Sequence, residues 1–358
     1  MRRSFALRTS TRTCSTSPQP DRVYVFHRHG DRAPSSSIVL DSNVTEIELE
    51  KQFWSSQIYK PPSLPPNVTL NLHSTLLTSL SSLHSPPTLS KLNDTSNPPF
   101  GYLTTLGSSQ LKTLGSKISS KYPNHTLNYT STNYLRTILS ALSLLQGSGI
   151  KNVELKIPRN EECKLNAYDR NPDLLRSLIK EVSADPKFQS LDKEATSKIP
   201  SLLTNFKCKN DKGRIDWIHL LDHFQCRYSH SRSYTDIEEK WVKEFEEEVE
   251  IARGHLEERF EFYYKDDEVL HEIATPMLKE LLHPHAKNTL HIYSSHDVTL
   301  LGILYHLLSP TETLKWPDYG SYIIFEVYED KVVCEFNGET VWEGGREEFK
   351  AICERFDR

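Results

Sequence analysis

Two short stretches carry groups suited to phosphoryl chemistry. The first is Val25-Phe26-His27-Arg28-His29-Gly30-Asp31-Arg32-Ala33-Pro34, which sets His29 between the guanidiniums of Arg28 and Arg32. A planar guanidinium pairs an oxyanion through two parallel hydrogen bonds, so two of them aimed at one point suit a phosphate. An imidazole at the same point is poor core material and a good nucleophile for phosphorus. The second stretch is Ser295-His296-Asp297, another histidine with a carboxyl beside it. Alkoxide is a poor leaving group, and a positioned acid can protonate it as it departs.

Both stretches follow segments that read as strands. Arg22 to His27 carries Val23, Tyr24, Val25 and Phe26 and enters the core. Gly30 and Pro34 then force a turn that leaves Arg28, His29 and Arg32 at the strand's carboxyl end. Thr289 to Ser295 is rich in β-branched and aromatic residues, and Val298 to Leu304 reads as the start of a buried helix. In open α/β sheets, ligands bind in the crevice outside the carboxyl ends of the strands. Arg136 has a related setting. Leu127 to Ser131 reads as a short strand and Thr132 to Gln146 has helical periodicity, which puts Arg136 about a turn inside a helix whose N-terminus faces the crevice.

These motifs resemble the histidine acid phosphatase family of the phosphoglycerate-mutase-like clan. The resemblance rests on Arg28-His29-Gly30-Asp31-Arg32-Ala33-Pro34 and on Ser295-His296-Asp297-Val298-Thr299-Leu300. Three weaker segments follow the family's order: Gly101 to Gly107 with Gln110 and Leu114-Gly115, Leu135-Arg136-Thr137-Ile138-Leu139-Ser140, and Trp316 to Glu326. The likeness spans about Asp21 to the C-terminus. It implies a two-step hydrolysis of phosphomonoesters in which His29 forms a phosphohistidine that water then cleaves. Arg28, Arg32, Arg136 and His296 would hold the phosphoryl oxygens. Asp297 would protonate the leaving alcohol and later take a proton from water. Clustered arginines favour the neutral, nucleophilic imidazole, which permits activity in acid. The scheme requires no metal and no cofactor.

The implied architecture is α/β: a central, mostly parallel sheet flanked by helices, with an inserted all-helical cap that shapes substrate choice. Residues 21–150 and 285–358 would form the catalytic domain and 151–284 the cap. Within the cap, Pro172 to Phe206 has helical stretches and Ile215 to Phe224 a short helix. Asp236 to Phe260 has apolar residues spaced by threes and fours, and helix continues from His271 to Leu282. Residues 41–99 form a Pro/Ser-rich insertion. Much of it is expected to be loop, although Leu70 to Leu83 could form a helix, and it would serve either as a wall or lid over the site or as a disordered surface insertion.

At 358 residues the chain is long enough for a large core, and its net charge of −5 gives no case for nucleic-acid binding. The longest apolar stretch, Val298 to Leu308, is interrupted by His306 and too short to span a bilayer. Residues 1–20 form a basic, acid-free leader of mitochondrial type. The family, and sequons at Asn43, Asn67, Asn93, Asn124 and Asn128, point instead to a secretory or lysosomal lumen. Cys14 lies in the leader. Cys163, Cys208, Cys226, Cys334 and Cys353 allow two disulfides and a free thiol, or none. His219, His223, His283 and His285 read as surface or helix-packing residues.

Expected partners are small-molecule or lipid phosphomonoesters, and since some family members dimerise the resemblance admits a homodimer. The alternatives are a phytase-like inositol phosphate phosphatase, a mutase-like transferase, and a phosphate-binding scaffold without turnover. Ser295-His296-Asp297 fits acid phosphatases and many phytases, but not the His-Ala-Glu of the multiple inositol polyphosphate branch.

Overall fold

The structure, a computed structural model, describes residues 19–93, 97–210, 212–230, 242–310 and 313–355. The expected leader, apart from residues 19–20, lies outside the described residues.

The element that organises the molecule is β1 (Arg22–Arg28), buried along its whole length. Its side chains alternate across the sheet, Val23 and Val25 to one core and Tyr24 and Phe26 to the other. Next come α1 (Val44–Gln57), the hairpin of β2 (Val68–Leu72) and β3 (Thr75–Leu77), and the single turns α2 (Leu80–Leu83) and α3 (Pro86–Leu89). Then α4 (Thr105–Lys121), β4 (Thr126–Ser131), α5 (Leu135–Ser148) and β5 (Val153–Ile157) alternate in the βαβ manner.

The chain continues through helices α6 (Ala167–Arg170), α7 (Pro172–Val182), α8 (Pro186–Ser197), α9 (Pro200–Asn205), α10 (Trp217–Ser229), α11 (Val242–Tyr264) and α12 (Asp267–Leu282). Three of these begin on proline, whose fixed φ and missing N–H suit the first helical position. The chain returns to the sheet as β6 (Thr289–Ser295), followed by α13 (Asp297–Leu308), the antiparallel strands β7 (Tyr322–Val327), β8 (Lys331–Phe336) and β9 (Glu339–Gly345), and α14 (Arg346–Cys353).

The nine strands form one sheet in the order β3-β2-β5-β4-β6-β1-β7-β8-β9. Its centre, β2-β5-β4-β6-β1, is parallel, while β3 and β7 to β9 are antiparallel. The α/β class with an inserted helical region is therefore present. One apolar core joins Tyr24, Phe26 and Phe325 of the sheet to Trp217, Phe224 and Phe260 of the inserted helices. The other seats α4 and α5 on the opposite face.

Several local expectations change. β5 pairs with β2 and β4, so the helical region starts after residue 157 rather than at 151. Residues 41–99 hold loop between α1, β2, β3, α2 and α3, and Leu70 to Leu83 is not one helix. Val68, Leu70 and Leu72 are buried at every second position, the period of a half-covered strand, and they extend the parallel sheet. The helix expected from Asp236 is described from Val242, with 236–241 outside the described residues. It breaks at Asp266, whose carboxylate caps α12 through the N–H groups of Glu268 and Val269. Cys163, Cys208, Cys226, Cys334 and Cys353 are all free and buried. Among the described residues, no helix is long and apolar enough to cross a membrane.

Candidate active site

β1 hands the Arg28–Pro34 loop out of the sheet between its two neighbours. The Arg28 N–H donates to the Ser321 carbonyl at 2.8 Å and the His29 N–H to the Ser295 carbonyl at 3.0 Å. The loop then lies on α4 and α5. Gly30 N–H donates to Ser140 Oγ at 3.0 Å, and Asp31 N–H to Gln110 Oε1 at 2.9 Å. Two glycines permit this approach. A Cβ on Gly30 would sit 2.4 Å from the Gly107 carbonyl oxygen, and one on Gly107 would sit 2.1 Å from that of Asp31.

His29 is 2% exposed. Its Nδ1 lies 2.9 Å from the Gly30 carbonyl oxygen, which can only accept, so Nδ1 carries the proton and Nε2 the lone pair. Burial, then Arg136, Arg28, Arg32 and His296, hold its pKa well below the usual histidine value. The ring is thus neutral into acid.

The cations around it are fixed at their far ends. Arg28 donates through Nη1 to the Pro317 carbonyl at 2.7 Å, pairs through Nη2 with Asp297 at 2.7 Å, and lies 4.1 Å over the Tyr319 ring. Arg32 engages Asp222 through both terminal nitrogens, at 2.9 and 2.7 Å. The Nε of each arginine is buried and has no hydrogen-bond partner. Arg136 stacks 4.2 Å over the Tyr134 ring. It is the second residue of α5, not a full turn inside, so it stands at the helix N-terminus, where the dipole favours anions.

His296 caps α13, and its Nε2 lies 3.0 Å from Thr132 Oγ1 at the end of β4. Burial, then Arg136, Arg32 and Arg28, push its pKa well down. Asp297 opens α13 and accepts from Trp316 Nε1 at 3.2 Å. All six residues singled out by sequence line one cavity of about 490 Å³ at the carboxyl ends of the strands. Two walls meet there: cations and imidazoles on the sheet side, and Tyr168, Ile218, Leu221, Leu256 and Trp316 on the other. Among the described residues, none of those lining the cavity comes from 41–99.

Sequence reasoning missed Asp222, Tyr319, Trp316 and His230, and it assigned His219 to surface or packing although His219 lines the cavity. His223 is fully buried near Glu50, as a packing residue. The spacing Asp222, Cys226, His230 puts three polar groups on one face of a helix, and that was the available signal. Among the described residues, no three or more His, Cys, Asp or Glu side chains are grouped so as to share a metal ion.

The family model described as Histidine phosphatase superfamily (branch 2) matches residues 21–341. No curated protein is matched. Solved structures share the fold at low identity. The apo phytase of Hafnia alvei is 11% identical with a TM-score of 0.57, covering 96% of this chain and 98% of its own. The Citrobacter braakii phytase gives 13% and 0.57, covering 95% and 98%. The Bifidobacterium longum multiple inositol polyphosphate phosphatase, solved with inositol hexasulfate, gives 11% and 0.51, covering 93% and 90%.

Proposed function

Because the chain belongs to the histidine phosphatase superfamily, branch 2, we propose that it hydrolyses phosphomonoesters through a phosphohistidine on His29. The observation that carries this reading is the free Nε2 of a neutral, buried imidazole ringed by Arg28, Arg32, Arg136 and His296. Its lone pair attacks phosphorus while the ester P–O bond breaks, and Asp297 gives its proton to the departing oxygen. Water then attacks the phosphorus, Asp297 takes the water's proton, and the P–N bond breaks to return the imidazole. Phosphoryl transfer needs positioning and fixed positive charge more than covalent help, and the pinned guanidiniums supply both.

For the substrate there are two readings. The apolar second wall suits a phosphate on an aryl or alkyl group. The solved structures of like fold favour inositol phosphates instead, since they are phytases and an inositol polyphosphate phosphatase. Beyond the six candidate residues, the basic groups lining the cavity among the described residues are Arg253 and His219.

The test is phosphate release from p-nitrophenyl phosphate, a long-chain alkyl phosphate and inositol hexakisphosphate, from acid to neutral pH, for wild type and His29→Ala. Turnover that vanishes in the variant, with an acid-labile phosphoenzyme trapped in wild type, supports the mechanism. The preferred ester decides the substrate. Phosphate binding by folded wild type without turnover of any ester would leave a scaffold.

A further inference from the structure

We propose that Asp222, on α10 of the inserted helical region, is a positioning residue that orients Arg32 for phosphoryl transfer. This rests on the phosphatase reading above and adds to it a carboxylate that touches no reacting atom.

An acid is an unexpected component of an anion site. Asp222 is 7% exposed and lines the same cavity as His29 and Arg32. Its charge offsets that of Arg32 and so weakens the attraction for phosphate, which makes sense only if the acid contributes something other than affinity. Its contacts show what that is. Oδ2 accepts from Arg32 Nη1 at 2.9 Å, from the Ser35 N–H at 2.8 Å and from Ser35 Oγ at 3.0 Å. Oδ1 pairs with Arg32 Nη2 at 2.7 Å and accepts from the Tyr319 hydroxyl at 3.3 Å. This fork-to-fork pairing fixes the plane of the guanidinium as well as its position, and it leaves Nε as the buried donor without a partner.

The same carboxylate reaches the second arginine through Tyr319, whose ring lies 4.1 Å beneath Arg28 and 5.8 Å from the His29 ring. One group therefore sets two guanidiniums and a wall of the nucleophile's pocket. It is also not alone on its helix. Two turns on, His230, the C-cap of α10, sets its Nε2 2.6 Å from Asp31 Oδ2, so α10 and its cap grip successive residues of the phosphate loop. The inserted helices thereby hold the loop's geometry as well as the cavity's outer wall.

The positioning role makes kcat and phosphate affinity move apart. Asp222→Asn leaves the pocket more positive but frees Arg32 to turn. The expected result is a fall in kcat of about tenfold or more, with the inhibition constant for inorganic phosphate unchanged or tighter. In an Arg32→Gln background, the same change should cost much less further kcat, because its main target is already gone and only the contact through Tyr319 is left. Where Asp222→Asn does not fold, Asp222→Glu serves. It keeps the charge and lengthens the side chain by one methylene, and it should lower kcat without loosening phosphate.

Unchanged kcat, equal losses of kcat and phosphate affinity, or a full further loss in the Arg32→Gln background would each overturn the proposal. Absence of any phosphatase turnover in wild type would instead remove the reading on which it rests.

Discussion

Arg28 and Asp297 are joined by a 2.7 Å salt bridge in the candidate site. The group proposed to protonate the leaving oxygen is thus tied to one proposed to hold the phosphoryl oxygens. On the proposed mechanism, a phosphate held by Arg28 would compete with Asp297 for the guanidinium and free the carboxyl to act as the proton donor. Asp297→Asn should therefore slow alkyl phosphates by about 10²–10⁴-fold and activated aryl phosphates much less. The check is a series of esters of graded leaving-group acidity. A uniform loss across the series would argue against proton donation.

The low pKa of His29 has a kinetic signature. Burial and the neighbouring cations oppose its protonation, so the neutral imidazole persists as pH falls. The acid limb of kcat/KM should then lie below the ordinary histidine range. Arg136 is the first of those cations, and Arg136→Gln should move that limb to higher pH while raising KM. A pH profile unmoved by the substitution would show that Arg136 does not act on the nucleophile.

Stability should run the other way with pH. His27 and His306 are each held down to about 4, in both cases first by burial. An unfolded histidine titrates near 6.5. As pH drops from there toward 4, the unfolded chain takes up protons that the folded one refuses, and stability is lost at up to about 1.4 kcal/mol per pH unit for each group. Thermal midpoints across this window should fall steadily with acid, and less steeply in His306→Gln. A flat profile would contradict the assignment.

Two glycine substitutions separate packing from conformational freedom. Gly107→Ala drives a Cβ into the Asp31 backbone, so the phosphate loop must shift. It should cost about 1–3 kcal/mol of stability and lower kcat by about tenfold or more. Gly254→Ala meets nothing within 4 Å inside α11 and should add about 0.5–1 kcal/mol. Denaturation midpoints and kcat for the two variants decide it. Equal behaviour would refute the close approach.

The parts of this site that were legible in sequence are those where chemistry follows directly on a strand. β1 carries the apolar run Val23 to Phe26 and β6 the β-branched and aromatic Thr289, Ile292 and Tyr293, and His29 and His296 stand one residue beyond these strands. Asp222 and His230 were not found, because a polar residue every fourth position on a helix looks the same whether it meets solvent or a buried guanidinium. The helix wrongly expected over Leu70 to Leu83 came from leucines whose spacing fits two periods. Burial of Val68, Leu70 and Leu72 selected the strand. α1 has almost no amphipathic contrast. It is held in place by Trp54 and by the buried Glu50, which faces His223 and Arg227 of α10, and such tertiary pairs leave no local pattern to read.

The register of β1 also bears on the order of assembly during synthesis. Residues 22–28 leave the ribosome early, yet they pair with β6 on one side and β7 on the other. Ser295 Oγ reaches the His27 carbonyl across 268 residues of chain. β1 must wait for β6 and β7, and β4, although β5 follows it directly, also waits for β6 on its other side. His29, the proposed nucleophile, is therefore translated before the strands that position it, and the proposed site is incomplete until β7 has emerged. Contacts of such long range make folding slow and leave an apolar strand without partners meanwhile. Nascent chains halted before residue 322 should engage chaperones and lack phosphatase activity.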